Sequence, residues 1–139
     1  MTKKLKFSLL ALLIVLAGAG LFYRKQQPTP KNLNEVVQGQ ATLVIDFGDG
    51  KRESATFTSQ PSQTVFDALK SVTEEKGITL EIQQYDFGVF VKTIAGYPST
   101  ANKAWIYFIN GNSGTVAADK QEIKAGDLIE WRYIPPSEE

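Results

Sequence analysis

The sequence predicts an α+β domain in which one helix packs on a mixed or antiparallel sheet, preceded by an N-terminal transmembrane helix. Three observations carry this. Apolar residues alternate with period two across 41–58 and again across 78–133. One stretch between them, 64–77, switches to the helical period and has a start and a stop signal. Seventeen uncharged residues, Phe7 to Tyr23, lie between basic flanks.

The N-terminal run reads FSLLALLIVLAGAGLFY, with Lys3, Lys4 and Lys6 before it and Arg24 and Lys25 after it. Seventeen helical residues span roughly 25 Å, the lower limit for crossing a hydrocarbon core. The basic start is shared with secretory signals, and Ala17-Gly18-Ala19 is a small-x-small cleavage motif. The apolar run continues past that motif through Leu21, Phe22 and Tyr23, where interfacial aromatics belong, so an uncleaved signal anchor in residues 1–25 is the expectation. Cleavage after Ala19 would instead release a secreted domain. The excess of lysine before the segment places the N-terminus inside the cell and the C-terminal domain outside it. Residues 26–37 contain Pro28 and Pro30 among polar residues and read as a stalk.

The domain proper is expected over 38–136, followed by an acidic tail, 137–139. Leu43, Ile45 and Phe47 share one strand face, and Gly48-Asp49-Gly50 turns the chain into a second strand ending at Thr58. Thr64 with Asp67 three residues later forms a capping box that uses Asp. Val65, Ala68, Leu69 and Val72 then follow the i, i+3, i+4, i+7 rule, and Gly77 stops the helix. Further strands are expected at Ile78–Ile82, Val89–Ile94, Trp105–Ile109 and Leu128–Tyr133. Turn signals separate them at Asp86–Gly88, Gly96-Tyr97-Pro98, Asn110-Gly111 and Gly126-Asp127. A hairpin, a helix and then more strands is the opening order of a β-grasp-like domain.

Composition narrows the chemistry. The 15 basic and 15 acidic residues cancel, but from residue 26 onward there are 10 basic against 15 acidic. An acidic domain without a basic stripe is a poor match for nucleic acid. The absence of Cys excludes disulfides and a lipid-modified cysteine, and with no His the usual general base is missing too. Lys70 with Ser71 and Lys92 with Thr93 are sequence neighbours that point to different faces, so neither is a credible dyad. Asp46 and Asp49 are explained by the Asp-Gly turn, and the two Asp-Phe-Gly triplets, at 46–48 and 86–88, are strand-end turns. No catalytic site, metal site or cofactor is expected. Aromatic residues concentrate after residue 84, and Trp105 to Ile109 is apolar on both alternating faces. Either some of these rings form an exposed binding surface, or loops such as 95–104 cover the second face.

Four motifs, Thr64–Lys70, Ile94-Ala95-Gly96, Trp105–Gly111 and Ala125–Tyr133, resemble in order and spacing the transcobalamin C-terminal-like domain family. This is the small β-grasp-like domain that closes over cobalamin in vitamin carriers and also occurs in bacterial surface proteins. The resemblance implies a site on the late loops and strands, around Tyr97, Trp105, Tyr107, Asn110 and Asn112. It also implies cobalamin as a ligand, although in the carriers the corrin is held against a helical barrel that this chain has no room for. The expected function is therefore a non-catalytic, single-pass, membrane-anchored extracytoplasmic module that binds a small molecule or an extracellular protein. The alternative is a cobalamin- or corrinoid-binding surface protein acting with a partner subunit.

Overall fold

The computed structural model describes residues 39–136. They belong to one compact unit, Val36–Glu139, and among the described residues the buried core lies between Ala41 and Trp131. A compact unit with a continuous hydrophobic core has the property expected of a domain that folds by itself. The expected anchor at 1–25, the stalk at 26–37 and the tail at 137–139 lie outside the described residues. Among the described residues no helix is long and apolar enough to cross a membrane.

Among the described residues the architecture is sheet-rich α+β with one helix and two sheets. Strands β1 (Gln40–Asp46) and β2 (Arg52–Thr58) form the first hairpin. Its turn is held by Asp46, whose Oδ1 accepts the Gly48 N–H at 2.9 Å, and by Asp49, whose Oδ1 accepts the Lys51 N–H at 3.0 Å. Both aspartates thus serve the turn, as Asx residues do. Helix α1 (Val65–Lys76) begins with a reciprocal capping box. The Thr64 hydroxyl accepts the Asp67 N–H at 3.1 Å, and Asp67 Oδ2 accepts the Thr64 N–H at 3.0 Å. Gly77 ends the helix at φ 65°, the left-handed geometry that favours glycine.

Strands β3 (Leu80–Tyr85), β4 (Gly88–Ile94) and β5 (Tyr97–Pro98) form a separate antiparallel sheet. Strands β6 (Ala104–Ile109), β7 (Asn112–Ser113) and β8 (Leu128–Ile134) complete a five-stranded sheet of order β2-β1-β8-β6-β7. Within it β1 and β8 run parallel while the other pairs are antiparallel, so the sheet is mixed.

Two readings of the sequence are corrected here. The strands after the helix divide between two sheets instead of extending one. In addition, Tyr97 and Pro98 are strand residues paired with Ile94 and Thr93. The turn before them is made by Ala95 and Gly96, at φ 52° and 81°, two consecutive positive values as in a type I′ hairpin.

The core lies on one face of the five-stranded sheet. Leu43, Ile45 and Ile129 from the sheet meet Leu69 from α1 and Ile94 from β4, all fully buried. Trp105 and Tyr107 belong to this face. On the other face of β6, Phe108 is buried beneath the Arg132 guanidinium, which lies 4.0 Å from the ring centroid. Cation–π stacking covers one face of that ring.

Candidate functional site

The β3–β4 hairpin exposes most of its aromatic side chains. Phe87 is 68% exposed, Tyr85 47% and Phe90 40%. Tyr85 and Phe87 stack at 5.1 Å with rings 9° from parallel, and Phe90 meets Tyr85 edge-on at 6.4 Å. Beside these rings a cleft of about 240 Å³ opens between β4, β6 and the segment at 114–118. Phe87, Phe90, Tyr107, Val116 and Trp131 line it, and no charged side chain does.

Local geometry accounts for the cleft. The hairpin loop is only Asp86 and Phe87, since Tyr85 pairs with Gly88. The positive φ of 137° falls on Gly88, where a Cβ would also collide with Ala117 and with the Asp119 carboxylate. Asp119 uses that close approach: its Oδ1 accepts the Val89 N–H at 2.9 Å, and its Oδ2 pairs with Lys120 at 3.1 Å. The bond from Val89, and then Lys120, hold the Asp119 carboxyl below its ordinary pKa. On the other wall, the Tyr107 hydroxyl donates to Val116 O at 2.6 Å and Tyr107 O accepts the Gly114 N–H at 2.9 Å. Burial pushes the Tyr107 phenol above its ordinary pKa. The segment is tied to the start of α1 by Phe66 N–H to Ala118 O at 3.0 Å and Val65 N–H to Gln121 O at 2.9 Å. Both cleft walls are therefore fixed by hydrogen bonds before any ligand arrives.

Among the described residues one buried side-chain polar atom has no partner. Trp131 is 2% exposed and lines the cleft, and its indole N–H is buried without a hydrogen-bond partner. Trp105 differs, since its Nε1–H donates to Tyr97 O at 2.8 Å.

The five residues expected from the sequence fall into three places. Trp105 and Tyr107 both line the cleft. Tyr97 joins Phe47, Trp105 and Tyr133 in an aromatic cluster, with centroid separations of 4.9 Å to Phe47 and 5.7 Å to Tyr133. The Tyr97 hydroxyl donates to Asp49 Oδ2 at 3.1 Å, which raises the pKa of the phenol. Asn110 and Asn112 sit at the β6–β7 turn. Asn110, at φ 51°, donates through Nδ2 to Asp127 Oδ1 and accepts the Leu128 N–H through Oδ1, both at 2.9 Å. Its side chain clamps two turns together. Asn112 is exposed and donates weakly to Asn110 O at 3.4 Å.

The five expected residues leave out Val116, and they leave out Phe87, Phe90 and Trp131, which the sequence offers only as members of the late aromatic group. The signal available for Phe87 is an aromatic ring in a two-residue hairpin loop, a place where polar residues are the rule. A second hollow, of about 250 Å³, is lined by Phe66 and Ile82 but also by Lys70 and Glu74. It lacks the contiguous aromatic rim. Among the described residues no three Asp, Glu, His or Cys side chains come together as a metal site.

The profile of a family described as a domain of unknown function (DUF4430) matches residues 62–134. No curated protein matches the chain. Among solved structures, one from Ruminococcus gnavus ATCC 29149, described as a "putative metal binding protein", is 16% identical with a TM-score of 0.56. That match covers 70% of this chain and 98% of the other. Haptocorrin in complex with Cbi is 12% identical with a TM-score of 0.66, over 75% of this chain and 27% of haptocorrin. The chain thus corresponds to about a quarter of haptocorrin's length, and both likenesses are of fold.

Proposed function

Because the chain belongs to the DUF4430 family, whose description assigns no activity, we propose from the site itself that the protein is a non-catalytic binding module taking its ligand in the cleft beside the β3–β4 hairpin. The observation that carries this is the rim of Tyr85, Phe87 and Phe90, exposed together over an uncharged cleft. Soluble proteins seldom leave contiguous aromatic surface open unless something binds there. The absence of catalysis is supported by the titratable groups. Asp49, Tyr97, Tyr107 and Asp119, whose pKa values shift, each spend their oxygens on hydrogen bonds that hold a turn or a loop. A general acid or base needs a free, poised group in the cleft.

In this reading residues 7–23 hold the module at the cell membrane, 26–37 serve as stalk and 38–136 bind outside the membrane. Mass spectrometry of the cell-derived protein tests the anchor. An intact N-terminus supports it, and Gly20 as first residue replaces it with secretion.

Titration of the 36–139 unit with the neutral, environment-sensitive dye Nile red tests the binding role. We expect a fluorescence rise with the native unit that is lost in Phe87→Ser/Phe90→Ser measured well below that variant's own melting temperature. Equal enhancement in the double variant would move the site elsewhere.

A corrinoid ligand held with a partner subunit is the second reading, supported by the haptocorrin fold together with the resemblance to the transcobalamin C-terminal-like family. A cleft of about 240 Å³ takes only the edge of such a macrocycle, which is why the partner is required. Trp105→Ala would be a poor probe of this reading, since Trp105 is a buried core residue. Phe87→Ala serves better. Micromolar or tighter cobalamin binding by residues 26–139, lost in Phe87→Ala without unfolding, supports the corrinoid. Absence of binding even with a candidate partner present excludes it.

A further inference from the structure

We propose that the free edge of β3 pairs with β3 of a second copy of this chain, in an antiparallel two-fold dimer centred on Gln83. This surface is a different side of the hairpin from the cleft and does not depend on the binding role assigned there.

Among the described residues the two sheets end on four edge strands, β2, β7, β3 and β5. An exposed edge invites pairing with another chain, and folds blunt it with charge, proline or shortness. Strands β5 and β7 are two residues long, and β5 includes Pro98. Strand β2 carries Arg52 and Glu53, each in an ion pair. Strand β3 has six residues, no proline and one charge, Glu81. All of Glu81–Tyr85 is exposed, including the apolar Ile82 at 41%.

The ladder to β4 shows which backbone groups this edge offers. Asp86 and Phe87 form a two-residue loop, so Tyr85 and Gly88 are a hydrogen-bonded pair, and such pairs alternate with open ones along an antiparallel ladder. Gln84 with Val89 and Ile82 with Val91 are then the open pairs. Both β4 residues agree with this. The Val89 N–H points away from β3 to Asp119 Oδ1 at 2.9 Å, and Val91 O accepts the Ser99 hydroxyl at 2.9 Å. The N–H and C=O groups of Ile82 and Gln84 therefore point outward from the free edge. Of these four, only Gln84 O meets a donor among the described residues, the Gln83 amide at a long 3.4 Å.

Strand β3 is complementary to itself about Gln83. That register sets Ile82 against the partner's Gln84 and Gln84 against the partner's Ile82, so all four outward groups find partners in each copy. Glu81, the strand's one charge, then faces the partner's Tyr85, whose hydroxyl can donate to it, and meets no second carboxylate. Gln83 faces its own copy, where two side-chain amides can exchange hydrogen bonds. An isologous two-fold interface requires this kind of self-complementarity. The cleft stays open in such a dimer, because it lies between β4, β6 and residues 114–118, across β4 from this edge.

Sedimentation velocity of the 36–139 unit between about 10 µM and 1 mM tests the pairing, since an edge-to-edge interface is small and holds weakly. The sedimentation coefficient should shift from that of a monomer toward that of a dimer as concentration rises. Gln83→Glu and Gln83→Lys each put like charges face to face across the two-fold axis, and each should weaken association about 5-fold. Gln83 is exposed, so both variants keep the fold. Mixed in equal amounts, they should associate more tightly than either does alone. Phe87→Ser/Phe90→Ser should dimerise as the parent does.

A parent that stays monomeric over the whole range overturns the proposal. So does association that is as tight in both Gln83 variants as in the parent. A mixture no tighter than its components overturns the register centred on Gln83. Loss of the dimer in Phe87→Ser/Phe90→Ser, with the Gln83 variants unaffected, would seat the interface on the aromatic rim and overturn the β3 pairing.

Discussion

The ring of Tyr107 stands where a side chain on Gly114 would have to be, since a Cβ built at 114 collides with the far end of that ring. The ring cannot swing aside cheaply, because its hydroxyl is bonded to Val116 O and its own backbone carbonyl to the Gly114 N–H. One wall of the cleft is therefore specified by the absence of a side chain. Gly114→Ala should lower stability by about 1–3 kcal/mol, as overpacking does. Urea unfolding checks this, and a change under about 0.5 kcal/mol would show that the wall yields freely.

The helix ties the cleft wall to the core, and Leu69 is its most direct test. This side chain is fully buried with Leu43, Ile45 and Ile129. Leu69→Ala should cost about 2–5 kcal/mol in equilibrium unfolding. A loss below about 0.5 kcal/mol would contradict the packing described.

Asn110 should behave as a structural residue. It holds a positive φ, donates to Asp127 and accepts from Leu128. Asn110→Ala forfeits two hydrogen bonds of about 1 kcal/mol each and adds about 1 kcal/mol of left-handed strain, so a loss of about 2–3 kcal/mol is expected. Dye binding at the hairpin, measured well below the melting temperature, should be unchanged.

Acid should loosen the link between the hairpin and the 114–120 segment. The Asp119 carboxyl sits below its ordinary 3.8 when folded, chiefly through the bond from the Val89 N–H. Its contribution to stability is then complete above about pH 5 and is lost as pH falls below 3.8 through the folded value. Asp119→Asn should be less stable than the parent at pH 7, with the difference shrinking toward pH 3. Thermal melts at the two pH values read this directly, and a difference that grows on acidification would reverse the assignment.

Much of the fold is legible in the sequence where the determinants are local. The Thr64–Asp67 capping box, the Gly77 stop and the aspartate-bearing turn after β1 each act within a few residues, and the structure shows each in place. Tyr97 reads as a turn residue because Gly96 and Pro98 flank it, whereas the positive φ values fall on Gly96 and on Ala95, a residue that gives no turn signal. The division into two sheets depends on pairing between distant strands, such as β1 with β8, which no local pattern encodes. The candidate site divides in the same way. Trp105 and Tyr107 are legible as late aromatics on one strand face. The unpaired N–H of Trp131 depends on what surrounds it in three dimensions. Phe87 looks from sequence like one more turn residue, and only its 68% exposure beside the stacked ring of Tyr85 marks it as surface for something else.

The central claim is that the hairpin cleft is where this domain binds. The most direct measurement is a backbone amide map of the 36–139 unit titrated with a panel of small neutral organic probes, repeated on Phe87→Ser/Phe90→Ser. We predict perturbations centred on Phe87, Phe90, Val116 and Trp131 that disappear in the variant, which should stay folded with a loss of about 1–2 kcal/mol, since Phe87 is 68% and Phe90 40% exposed. Perturbations centred instead on the hollow at Phe66, Lys70 and Glu74, or a map unchanged in the variant, would contradict it.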